Sequence, residues 1–229
     1  LINKGVDDME VLNRTMPNDI YEIYMRIKND IKYEIMISES NNERSYVSPP
    51  FNGCVHMKLN NNETEDEYFW EIFLHEHIHV IQYQENYKDM ISHDKSKKII
   101  SEYINNVIMD IDVNRRLLNV YKYRRKSKCS EKRLALNIVD KIIKCRENGF
   151  SDQDIIMIVI SIVLMSTSYN SEYDNLFISN VNELNRNAGI YFRDFMNAVY
   201  NNPIIGYRSI RKIQDQAADI FHLGFCKFQ

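Results

Sequence analysis

Glycine and proline are scarce in this chain, 6 and 4 among 229 residues. That scarcity excludes collagen-like repeats, argues against Gly-rich phosphate loops, and leaves too few tight turns for a strand-dense sandwich. Cys54, Cys129, Cys145 and Cys226 never fall in C-x-x-C spacing, so a thiolate zinc knuckle or a dithiol redox motif is unsupported. Four free thiols in a reducing compartment are the expectation. No sign of charge dominates either. A net charge of −3 and a pI of about 6.1 give no global basic field for nucleic acid or anionic lipid. Long apolar runs are also missing. The most apolar stretch, Ile155 to Met165 with Ser161 inside it, falls well short of the roughly 20 residues that cross a bilayer. No basic start followed by an apolar core marks a signal peptide. These absences lead us to expect a cytoplasmic chain with no membrane or nucleic-acid partner.

What is present reads as helix. Pro17-Asn18-Asp19 opens a pattern that puts Ile20, Ile23, Tyr24 and Ile27 on one face. Ile31, Tyr33, Ile35 and Ile37 alternate as in a strand, and Cys54 to Leu59 is a second strand candidate beyond the loop signals Pro49-Pro50 and Asn52-Gly53. Helices are predicted over about Glu67–Gln84 and Lys95–Tyr123, then over about 130–147, 152–167, 178–200 and 207–222. Ser151 and Asp154 form a capping-box pattern before a helix expected to be buried on all sides. The fold class expected is α+β, predominantly helical, in a single domain over 1–229. Its strands and histidine-rich helix lie within about 1–125, and a helical part covers about 126–229. The basic run Lys122 to Arg133 reads as a solvated helix end.

Three of the six histidines fall within five residues, His75-Glu76-His77-Ile78-His79, which in one frame is H-E-x-x-H. On a helix His75 and His79 stand one turn apart on one face and can give imidazole nitrogens to one metal ion. Glu76 can reach a water on that ion and act as general base, zinc having brought the water to a pKa of about 7. The flanks Ile72-Phe73-Leu74 and Val80-Ile81 are apolar, and Glu76 is the one charged residue between Glu71 and Glu85. The site therefore belongs on a core helix. His77 lies about 200° round that helix from His75 and is expected to be packed in the core. An alternative frame, H-x-H-x-H on a strand, is weaker because the apolar run Phe69-Trp70, Ile72-Phe73-Leu74 does not alternate.

A catalytic zinc needs a third protein ligand. His93, Glu102, Asp110 and Asp112 are the candidates. Asn106, Asp110 and Asn114 are spaced by four and share a helix face. The residues between them are apolar except Asp112; a carboxylate on a mostly buried face calls for a cation or donors, and the two asparagines suit the support of ligands.

The pair of motifs, His75 to His79 followed by Asn106-x-x-x-Asp110-x-x-x-Asn114, resembles the zincin-type metallopeptidases often found with a von Willebrand factor A-type domain. The resemblance covers about Phe69 to Leu118. It implies one zinc ion held by His75, His79 and Asp110, with Glu76 as base, Asn106 and Asn114 as supporting residues, and a zincin-like fold with a small N-terminal sheet and an active-site helix. Glu102 is the alternative third ligand, in the position a gluzincin would use. The implied activity is hydrolysis of peptide or protein substrates. The alternative is an inactive binding or regulatory protein on the same scaffold with a structural metal. Tyr169, Tyr191, Tyr207 and His222 are candidates to stabilise the developing oxyanion. The sequence leaves substrate specificity and oligomeric state open.

Overall fold

The computed structural model describes residues 9–40, 44–124, 128–169, 173–202 and 206–228. These form two compact units, Leu1–Asn86 with Arg116–Ser127, and Tyr87–Arg115 with Lys128–Gln229. The chain passes between them three times, after Asn86, after Arg115 inside a helix, and after Ser127, where the sequence suggested one change of character at about residue 125.

The first unit opens with a hairpin of β1 (Glu10–Val11) and β2 (Arg14–Thr15). Its two turn residues, Leu12 and Asn13, both have positive φ, 52° and 63°, which matches the twist of a two-residue hairpin turn. Helix α1 (Asn18–Asp30) follows Pro17 and buries Ile20, Ile23, Tyr24 and Ile27, the face read from the sequence. Next come β3 (Glu34–Glu39), β4 (Tyr46–Val47) and β5 (Cys54–Leu59), paired in the order β3-β5-β4. β3 runs parallel to β5, with Ile35 beside Val55 and Ile37 beside Met57. β4 runs antiparallel to β5, with Val47 beside Met57. Val55, Met57 and Leu59 are fully buried. Each contributes about 1.5–3 kcal/mol of apolar burial.

Helix α2 (Asp66–Gln84) packs on α1, β4 and β5 and buries residues on most of its circumference. Arg14 fixes its start. The guanidinium bonds Asn61, the Glu63 carbonyl and the Asp66 carboxylate, and sits 4.4 Å from the centre of the Phe69 ring. Gln84 ties its end to the end of α1, donating to the Asp30 carbonyl at 2.8 Å and accepting from the Lys32 amide at 2.6 Å.

The second unit contains β6 (Met90–Ser92), most of α3 (Lys98–Asn119), then α4 (Cys129–Asn148), α5 (Asp152–Ser168), α6 (Asp174–Leu184), α7 (Arg186–Asn201), α8 (Tyr207–Ile220) and β7 (Cys226–Phe228). β6 pairs antiparallel with β7. Buried Asn105 of α3 holds β6 from the other side, donating to the Met90 carbonyl at 2.8 Å and accepting from its amide at 3.1 Å. α5 is the apolar helix anticipated, with both bonds of its capping box formed by Ser151 and Asp154. Its one central polar side chain, Ser161, donates to the Met157 carbonyl at 2.8 Å and accepts from the Tyr103 hydroxyl at 2.6 Å, which in turn accepts from Lys141 at 3.0 Å.

Three expectations are revised. The predicted helix over 178–200 is two helices, because Asn185 is fully extended and its side chain accepts from the amides of Asn187 at 2.8 Å and Ala188 at 2.9 Å. An N-cap placed there ends one helix and starts the next. The helix predicted from Lys95 begins at Lys98, after a 3-10 turn capped by Asp94. Its end lies at Asn119, short of the predicted Tyr123. Of the basic run, 125–127 lie outside the described residues, while Lys122, Arg124, Lys132 and Arg133 are exposed, as a solvated face requires. Among the described residues, no helix is long and apolar enough to cross a membrane.

Candidate metal centre

The H-E-x-x-H segment is helical throughout, in the second half of α2. One turn separates His75 from His79, their ring centres are 4.7 Å apart, and their Nε2 atoms face each other at 3.0 Å. Two ligand atoms on a tetrahedral zinc at about 2.05 Å stand about 3.3 Å apart, so the pair is spaced for a common ion. Both rings are half-buried, and Glu76 beside them is buried.

A carboxylate oxygen of Asp110 completes the group, with the three ligand atoms all within 4.8 Å of one another. Within the first unit, Arg116 grips Glu85, the residue that ends α2, through two bonds of 2.9 and 2.6 Å. Two nitrogens and one carboxylate oxygen are a donor set suited to zinc, and three protein ligands leave a coordination position for another molecule. The residues present therefore fit the implied ion.

The remaining candidates lie elsewhere. Glu102 is exposed and pairs with Lys98 at 3.6 Å, one turn back on its own helix. Asp112 is fully buried and accepts from the Tyr87 hydroxyl at 3.1 Å. His93 packs its ring on Phe225. Asn114 is buried, whereas Asn106 is exposed. Tyr191 packs against Phe221 and Tyr207 against Tyr87, while Tyr169 ends α5 and His222 follows α8.

His77 is the packed core residue the helix phase predicted. It is fully buried, donates from Nδ1 to the Phe73 carbonyl at 2.7 Å, and lies against the rings of Phe73 and Tyr24. Burial lowers its pKa from 6.5 to about 4; the bond to Phe73 opposes that shift and the positive charge of Lys28 adds to it.

One residue at the centre was absent from the sequence reading. Gln82, fully buried, accepts through Oε1 from Nδ1 of His79 at 2.7 Å. Its signal was a polar, uncharged residue three positions after His79 in an apolar stretch. The chain matches no protein-family model, no curated protein and no solved structure.

Proposed function

We propose that this protein is a zinc-dependent peptidase of zincin type, with His75, His79 and Asp110 holding one zinc ion and Glu76 acting as general base. The observation that carries the reading is the convergence of those three ligand atoms within 4.8 Å, beside a glutamate that is buried. Zinc supplies Lewis-acid polarisation of a carbonyl and acidifies water. The chain supplies the rest. The imidazoles of His75 and His79 and the carboxylate of Asp110 would hold the ion. Glu76, next to His75 in sequence, takes a proton from the attacking water and returns it to the leaving amine. The apolar surroundings of α2 strengthen each of these electrostatic contacts. A zincin-like fold is supported by the small sheet β3-β5-β4 packed on the helix that carries the motif. The free cysteines Cys54, Cys129, Cys145 and Cys226 suit a reducing compartment, and a cytoplasmic peptidase acting on peptide or protein substrates is the form this proposal takes.

The test has two parts. Protein purified without chelator is expected to carry zinc near one equivalent by X-ray fluorescence, and His79→Ala to lose it. Glu76→Gln is expected to keep the zinc and lose cleavage of a peptide library. Absence of near-stoichiometric metal, or a Glu76→Gln variant that cleaves as well as the parent, overturns the proposal. A parent that binds zinc and cleaves nothing in the library points to the binding-protein alternative.

A further inference from the structure

We infer that Gln82 is a positioning residue that fixes His79 as a metal ligand before any ion arrives, an inference that rests on the metal site proposed above. A neutral imidazole has one N–H and one bare nitrogen, and its neighbours decide which is which. Gln82 Oε1 has lone pairs only. Its 2.7 Å contact with His79 Nδ1 therefore places the hydrogen on Nδ1 and leaves Nε2 bare. That bare nitrogen is the one facing His75, where the ion would bind. Gln82 thus does for His79 what carboxylates and backbone carbonyls do for other metal-bound histidines, holding both tautomer and ring angle.

Its placement is costly unless used. Gln82 is fully buried, and burying an amide in an apolar helix face is unfavourable without compensating bonds. It stands three residues after His79, the helical spacing at which side chains meet. An apolar residue there would pack equally well and leave the imidazole free to rotate and to carry its hydrogen on either nitrogen.

The experiment combines spectroscopy with metal affinity. In the metal-free parent, nitrogen-15 NMR at about pH 8, where histidine is neutral, is expected to report His79 hydrogenated at Nδ1. Zinc dissociation constants are then measured by chelator competition for the parent, Gln82→Met and Gln82→Glu. Gln82→Met, a near-isostere without an acceptor, is expected to bind zinc about 10- to 100-fold more weakly. Gln82→Glu keeps the acceptor and is expected to restore affinity to within about threefold, with His79 still hydrogenated at Nδ1. Hydrogen found on Nε2 of His79 in the parent overturns the inference, even if Gln82→Met fails to fold. So does a folded Gln82→Met with parental affinity. A parent that binds no zinc fails the metal site itself, and the inference with it. Parental affinity in Gln82→Met fails the positioning role alone.

Discussion

Replacing His77 by leucine should flatten the acid side of this protein's stability profile. The imidazole is fully buried between Tyr24 and Phe73, and its pKa falls from 6.5 to about 4. The folded state therefore resists protonation where the unfolded state accepts it. Between those two values the unfolded chain binds more protons, so stability falls as the pH falls. Stability from this group is complete above pH 6.5 and is lost progressively down to about pH 4. A difference of about 2.5 pKa units corresponds to about 3 kcal/mol at most, a large share of the roughly 5–15 kcal/mol that holds a domain together. Leucine has a similar volume and no proton to bind. Urea unfolding of parent and His77→Leu, both in chelator, at several values from about pH 7.5 to 4 isolates the effect. The absolute cost of the substitution cancels, because the quantity read is the change in the difference between the two proteins. That difference should shift by about 3 kcal/mol in favour of the variant on acidification. Parallel profiles would refute the assignment of a neutral, desolvated His77.

Three further outcomes test other parts of the structure. Asp110→Ala should weaken zinc binding by at least about tenfold, and Glu102→Ala by less than about twofold, in a competition assay with a chromophoric chelator. Equal losses would contradict the assignment of Asp110 as third ligand. Asn185→Ala should cost about 1 kcal/mol in denaturant unfolding, since two amides at the start of α7 lose their acceptor; an unchanged midpoint would mean the cap contributes nothing. Met57→Ala should cost about 2–5 kcal/mol and Lys58→Ala under about 0.5 kcal/mol, because β5 turns Met57 inward while Lys58 is only partly buried. Reversed magnitudes would show the strand register displaced by one residue.

Much of the site was legible because helical period and scarcity of charge act together. His75, Glu76 and His79 stood out in a stretch of α2 with no other charged residue, and Asp110 stood out in the segment from Asn106 to Asn114, where the residues between the polar three are apolar except Asp112. The spacing rule that found Asp110 also overreached. Four residues advance a helix by about 400°, not 360°, so Asn106 and Asn114 are about 80° apart. One is exposed and the other buried. Gln82 was overlooked because a single amide carries no pattern; its role emerges when its Oε1 is seen at His79. The break at Asn185 depends on local capping that competes with an uninterrupted apolar period. β4 is two residues long and β6 finds its partner β7 at the far end of the chain. Such pairings are too short or too distant for alternation to reveal.

Ser161 has a consequence beyond satisfying its own hydroxyl. A helix that is apolar all round, as α5 nearly is, has no stripe to tell its neighbours which way it should face, and several rotations about its axis bury similar area. The Tyr103 hydroxyl, itself held by Lys141, meets Ser161 at one rotation of α5 only. Any other takes from the half-buried Tyr103 hydroxyl its Ser161 acceptor, at a cost of about 0.5–1.5 kcal/mol, while Ser161 keeps its bond to the Met157 carbonyl of its own helix. One serine thus acts as a key in a round shaft: it adds little to the strength of the core and selects a single angular setting for the helix.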